Sequence, residues 1–286
     1  MPGLATAMAP WLPQMVAILL VITAFRIGIK DAFGALADLR WSLLAVLVLQ
    51  VGLPLALAVS LWLMGALHTP LALALVLAAA APTLSGGASL AIILGQNPAR
   101  IMQIMVLGTA AFPLTVLLVL QLVPLIGNAG TLVAVGLRSL ATIAGAAAMG
   151  FALRRVLLAA PSSAQIKATD GAAVLFFAII VIGLMAALGP ALQDQPWVVL
   201  RWMIAAFGLS FGVQIVTILL LSTGPLKVVS GPLALAAGNR NIALFLVALP
   251  AETMAPITVF VACWQVPMYL TPIMLSQLYA RTLPDE

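Results

Sequence analysis

The chain is a series of long apolar runs with almost nothing polar between them. The runs cover residues 11–29, 41–66, 70–94, 101–126, 132–153, 171–188, 198–221, 228–249 and 255–279. Each is close to the roughly 20 apolar residues that cross a bilayer as a helix. None alternates polar and apolar residues as a barrel strand would, and in hydrocarbon a helix satisfies every amide within itself. Composition agrees. Only 7% of the 286 residues are charged and 64% are hydrophobic, whereas a soluble domain carries about 25% charged residues. A cytosolic globular enzyme is therefore excluded, and the expectation is a single nine-span, all-α polytopic membrane domain over 1–286 with lipid as its surroundings.

The reactive groups are few. One cysteine, Cys263, excludes an intrachain disulfide, and one histidine, His68, excludes a histidine cluster for zinc or haem. The formal charge of +5 includes no basic run longer than Arg154-Arg155, so nucleic acid is not an expected partner. The opening residues lack the positive n-region of a secretory signal. Ser-His, paired-Asp and His-Glu-x-x-His arrangements are absent from the apolar runs, so no intramembrane enzyme is expected.

The basic residues instead mark the connectors. Arg26, Lys30, Arg40, Arg100, Arg154, Arg155, Lys167, Lys227 and Arg281 follow the odd-numbered spans, against Arg201 and Arg138 on the other side. By the positive-inside rule this places the N-terminus outside and the C-terminus in the cytoplasm, in the cell's inner (cytoplasmic) membrane. The most polar stretch, 159–170, reads as a loop between two halves. Every acidic residue, Asp170 included, is assigned to a connector or to the tail at Asp285 and Glu286.

Two spans carry helix-breaking signals at mid-depth. The third contains Pro82-Thr83-Leu84-Ser85-Gly86-Gly87-Ala88-Ser89, and the eighth contains Gly238-Asn239-Arg240-Asn241. Proline removes an amide donor and glycine weakens a helix. Irregular backbone at that depth is tolerated where it lines a protein-walled cavity. The two segments align, Gly86-Gly87-Ala88-Ser89-Leu-Ala-Ile-Ile-Leu over Gly238-Asn239-Arg240-Asn241-Ile-Ala-Leu-Phe-Leu, and both spans open with Pro-Leu-Ala-Leu-Ala. Five crossings separate them, so they run in opposite directions, as in an inverted repeat whose broken helices hold a transporter's midplane site.

Arg240 is the sharpest feature of this pattern. An arginine at the bilayer centre costs about 2.5–3.5 kcal/mol on insertion scales, so it needs a partner or a polar cavity. Two readings lead: a structural guanidinium bonded to backbone carbonyls, or a fixed cation for a bound anion. Snorkelling to the interface is a minor third, with about ten apolar residues on each side of Arg240. Helix ends near Gly86 and Asn239 would add dipole and free amides, and Ser85, Ser89, Asn239 and Asn241 would add polar side chains. Gln50 and Gln265, each close to a proline, are candidate lining residues. Helix–helix hydrogen bonding is the default for them and for Gln214 and Thr271.

Taken together, Arg26-Ile-Gly-Ile-Lys-Asp-Ala-Phe, Leu49-Gln50-Val-Gly-Leu-Pro54, the stretch from Pro82 to Pro98 and Gly238-Asn-Arg-Asn241 resemble the bile acid:sodium symporter family and its bacterial members, over about 15–280. The resemblance implies a core domain, about 41–126 and 198–281, and a panel domain, about 11–29 and 132–188, with two broken helices crossing in the core. It places Ser85 and Asn241 near the substrate. The family's sodium-ligand positions fall on Gln50, Gly87, Ala88, Ala236 and Arg240, with further hydroxyl positions on Ile101 and Met105. Of these, only Gln50 keeps a ligand the family uses. The expectation is a secondary transporter of a small organic anion working by alternating access. No cofactor is expected, and sodium coupling is in doubt because Arg240 would stand in for the cation. A channel, a non-transporting sensor on the same fold and an arsenite- or auxin-type efflux carrier are the alternatives. Substrate, direction, coupling ion and oligomeric state are not set by the sequence.

Overall fold

The computed structural model describes residues 2–34, 38–121 and 129–283. The end of the fourth expected span (122–126) and the acidic tail, Asp285 and Glu286, lie outside them. The described residues form helices α1 (Pro2–Met8), α2 (Leu12–Gly34), α3 (Leu39–Leu47), α4 (Leu53–Leu63), α5 (Pro70–Ala80), α6 (Gly87–Ile93), α7 (Pro98–Leu120) and α8 (Ala129–Leu157). The second half adds α9 (Ser163–Asp194), α10 (Pro196–Leu221), α11 (Lys227–Gly238), α12 (Phe245–Ala248), α13 (Ala251–Met254), α14 (Thr258–Met274) and α15 (Ser276–Ala280). Seven helices, several of them formed by consecutive elements, are long and apolar enough to cross a membrane: Gly3–Gly34, Leu39–Leu63, Pro98–Leu120, Leu132–Leu157, Ser163–Asp194, Pro196–Leu221 and Ala251–Met274. Their outer faces carry large exposed apolar side chains such as Trp62, Leu63, Met64 and Ile273, which only lipid would solvate well. The fold is that of a multi-pass helical membrane protein.

Two further apolar segments are interrupted. α5 stops at Ala80 and α6 starts at Gly87, while α11 stops at Gly238 and resumes through a 3-10 turn, Ile242–Leu244, into α12. The first helix of each segment is enclosed by other helices. From Ala72 to Ala80 every residue of α5 but Leu75 is buried, and from Ser230 to Gly238 every residue of α11 but Leu233 is. Small side chains allow this close approach. At Gly238 an added Cβ would lie 2.4 Å from the Ser210 carbonyl oxygen and from Gln214 Cγ, so α11 packs on α10 almost backbone to backbone.

Two sequence expectations fail, the loop over 159–170 and the placing of every acidic residue in a connector. Residues 163–170 are not a loop but the first turns of α9. Ser162 caps the helix: its Oγ accepts from the Gln165 amide at 3.2 Å, and the Gln165 side chain accepts from the Ser162 amide at 2.9 Å. This reciprocal pair satisfies two orphan amides and outweighs the polarity of the stretch. α9 is therefore 32 residues long, about 48 Å at 1.5 Å per residue against a hydrocarbon core of about 30 Å. Asp170 belongs to that helix, not to a connector, and Asp31, Asp194 and Glu252 likewise fall within α2, α9 and α13.

Proline and glycine shape the other irregularities. Pro54 has no amide, and the turn ahead of it widens to a π-helical one over Val48–Gly52. Gly28 takes φ 73°, ψ 160° and breaks the regular hydrogen bonding of α2. The carbonyls of Phe25 and Arg26 accept instead from Arg154 Nη1, at 2.9 Å each. A side chain of α8 thus closes the end of α2.

Candidate functional site

The two interruptions meet. The Leu84 amide donates to the Asn239 carbonyl at 2.9 Å, and the Asn241 amide donates to the Pro82 carbonyl at 2.8 Å. These bonds frame an antiparallel bridge between Thr83 and Arg240, the one bridge pair among the described residues. Breaking a helix in an apolar interior strands amides and carbonyls. Here each break supplies partners for the other, so neither is stable as built without its counterpart.

Arg240 carries its guanidinium into the same place and is only 1% exposed. Its Nη2 donates to the carbonyl of Leu49 and, at 2.8 Å, to that of Ala79. Both acceptors are orphans of helix geometry. In a π turn the Leu49 carbonyl would pair with the amide five residues on, but that residue is Pro54. The Ala79 carbonyl belongs to the last turn of α5, where no fourth residue follows in the helix. Ala79 stands at the negative end of α5, where a cation is favoured. Arg240 Nε and Nη1 have no hydrogen-bond partner among the described residues. The carbonyl of Arg240 accepts from Trp264 Nε1 at 3.0 Å. This contact was not anticipated, although a Trp inside an apolar span does signal an indole N–H in need of an acceptor.

Asn239 anchors the second break. Its side-chain amide donates to the Leu235 carbonyl at 3.0 Å and to Gln214 Oε1 at 3.4 Å, and its Oδ1 accepts from Thr271 at 3.3 Å. Gln214 Oε1 also accepts from the Tyr279 hydroxyl at 2.7 Å. Gln50 donates to the Gly108 carbonyl at 3.1 Å and Gln265 to that of Val261 at 3.0 Å, each with its Oε1 unpartnered. Gly87 is a packing position, where an added Cβ would come within 2.8 Å of Ile101. Ala88 and Ala236 are buried and offer no side-chain oxygen.

A cavity of about 250 Å³ lies beside the crossing. The breaks contribute Ser85, Gly86, Ser89 and Asn241 to its wall. The side chains of Ser85, Ser89 and Asn241 bond to no other described residue, so they are free to meet a ligand. The facing wall comes from α2 and α9 and includes Arg26 and Asp170. Leu84, Ile93, Val174, Phe177 and Met268 supply an apolar lining. Of the candidate site residues, Ser85, Gly86, Ser89 and Asn241 therefore line the cavity. Gln50, Gly87, Asn239, Arg240 and Gln265 are not among its lining residues. Arg26, which the sequence offered as a topology marker and part of a family resemblance but not as a site residue, does line it. A second cavity of about 230 Å³ lies on the other side of Ser85 and Thr23 and is lined almost wholly by apolar groups.

The site defines a class: a helical membrane protein with a small cavity against two interrupted, mutually bonded helices, able to take an amphipathic guest with an acceptor group. No protein-family model and no curated protein sequence matches the chain significantly.

Proposed function

We propose that this protein is a secondary transporter of a small organic anion, working by alternating access. The interrupted segments, with the seven continuous helices, would make nine spans. The two halves would be inverted repeats, with α3–α7 and α10–α15 as a core that rocks against a panel of α2, α8 and α9. The observation that carries this reading is the crossing of two antiparallel breaks beside a cavity lined by the unengaged side chains of Ser85, Ser89 and Asn241. Interrupted helices of that kind are how transporters present backbone and side-chain groups at mid-depth. The cavity lies at the seam between the two proposed bodies, where a rocking motion would open it to either side.

The orientation follows from the basic residues, with the N-terminus outside and the C-terminus in the cytoplasm of the inner membrane. Arg26 and Asp170 then mark the cytoplasmic mouth of the cavity. Arg240 would act as a permanent resident cation. It occupies carbonyl oxygens of the kind that would otherwise coordinate a metal ion, and Gly87, Ala88 and Ala236 supply no side-chain oxygen to help bind one. Transport would then be independent of a sodium gradient. Entry of an uncompensated anion is opposed by about 2.3 kcal/mol per charge per 100 mV, which favours export or exchange over import.

Uptake and counterflow of labelled carboxylates in proteoliposomes, with and without a sodium gradient, test this reading. Saturable flux that ignores sodium is expected. Strong sodium dependence would overturn the role given to Arg240, and ligand binding without turnover would make the protein a sensor.

A further inference from the structure

The cavity wall contains a feature that neither the breaks nor Arg240 accounts for. Arg26 Nε donates to Asp170 Oδ1, and Nη2 reaches Oδ2 at 3.4 Å. This is a two-point pairing of a guanidinium with a carboxylate, the geometry in which arginine recognises carboxylates generally. The pair is not sealed into the protein: the Arg26 and Asp170 side chains are 22% and 35% exposed, and both line the cavity with Ser85, Ser89 and Asn241. Arg26 is the one cation among the residues lining it, and Asp170 the one acid. Arg240, the other candidate cation, is held by two carbonyls and does not line the cavity.

The backbone beneath Arg26 is fixed independently of this pair. The Phe25 and Arg26 carbonyls accept from Arg154 where Gly28 ends the regular part of α2. The start of α9, which carries Asp170, is set by the Ser162 cap. The two side chains are thus presented by rigid supports, and their mutual bond does not have to hold those supports in place.

We propose that Arg26 is the group that receives the carboxylate of the guest. Asp170 is a resident stand-in on the same face of the guanidinium, displaced when the guest binds. Binding is then an exchange of one carboxylate for another. The empty cavity keeps its charge balanced, and a neutral analogue cannot displace Asp170. A single guanidinium in a wall of apolar side chains and a few neutral polar ones selects one carboxylate on a mainly apolar body. This proposal rests on the transporter reading only for its setting, because the exchange is a binding event that can be measured without flux.

The test uses the purified full chain in detergent. Thermal stabilisation is titrated with benzoate, butyrate and 2-oxoisovalerate, and with benzamide and butyramide as neutral controls. Asp170→Asn removes the competitor and should respond to at least one carboxylate at about tenfold lower concentration than the parent, the scale of a hydrogen bond to a charged group. Arg26→Gln should lose the response. The double variant Arg26→Gln/Asp170→Asn replaces the ion pair with two amides; it should unfold near the parental temperature without ligand and ignore carboxylates. The amides should leave all four proteins unmoved.

A double variant that binds carboxylates with parental affinity overturns the proposal. So does an Asp170→Asn protein that binds them no more tightly than the parent, or none of them. Counterflow of labelled benzoate separates this from the transporter reading. Arg26-dependent binding without saturable flux leaves the exchange standing and removes transport, whereas saturable flux unchanged in the double variant removes the exchange alone.

Discussion

Arg240 shows how a charge can be at home in an apolar interior without an acid to neutralise it. Two carbonyls that helix geometry leaves unpaired face one nitrogen of its guanidinium. Its own carbonyl is in turn held by Trp264. Trp264→Phe keeps most of the ring volume and removes the donor. The Ile242 amide still donates to that carbonyl at 3.1 Å, so stability should fall by about 0.5–1.5 kcal/mol, the net worth of one hydrogen bond, read as a lower unfolding temperature in detergent. An unchanged temperature would mean that the indole N–H contributes nothing to the crossing. Arg240 was visible in the sequence as an anomaly, since an arginine at mid-span demands a partner. Which partner it has was not visible, because Leu49 and Ala79 act through backbone atoms that every residue carries. Arg26 was hidden for a different reason. Next to a connector it looks like an ordinary topology marker, and its partner lies 144 residues away. Only packing brings the two together.

At the scale of elements, prolines and caps decide where helices yield. The breaks near Pro82 and Gly238 were legible, because proline and glycine in the middle of an apolar run weaken helical hydrogen bonding where lipid offers no substitute. The start of α9 was equally available as Ser162-x-x-Gln165, but the polarity of that stretch favoured a loop and the cap won. The π turn before Pro54 gives a sharper test. Arg240→Met removes a buried charge and two hydrogen bonds at once, so its own effect mixes opposing terms. Pro54→Ala restores an amide that can reach Leu49 once Arg240 is gone. In a double-mutant cycle the pair should be more stable than the sum of the single variants by about 1 kcal/mol. Strict additivity would show that Leu49 does not depend on Arg240.

The junction of α3 and α7 titrates separately. Arg100 donates to Asp38 at 2.7 Å and lies over the Trp41 ring, 4.6 Å from its centroid. The hydrogen bond from Arg100 holds the Asp38 carboxyl below the usual carboxylate range. A depressed folded-state value means that the pair stabilises the fold above the ordinary value and that this contribution is lost as pH falls through the depressed one. Unfolding midpoints followed downward from about pH 5 should therefore decline in the parent. The part of that decline due to Asp38 should be missing in Asp38→Asn, and parallel curves would contradict the assignment.

For the molecule as a whole, the membrane class was settled by composition and run length, since 7% charged residues cannot cover a soluble surface. The cavity was not, because it arises where α2 and α9 face the crossing and no local motif encodes that juxtaposition. Its place at the seam between two groups of helices is what gives the transporter account its mechanism. The most direct test is the sidedness of that cavity. Cys263, the one native cysteine, is buried, so a cysteine placed at Ser85 can be labelled by a membrane-impermeant thiol reagent with little background from the parent. In oriented proteoliposomes the account predicts that Ser85→Cys is labelled from either face, in proportions that shift when a carboxylate is added. Labelling from one face only, whatever is added, would contradict alternating access at the crossing.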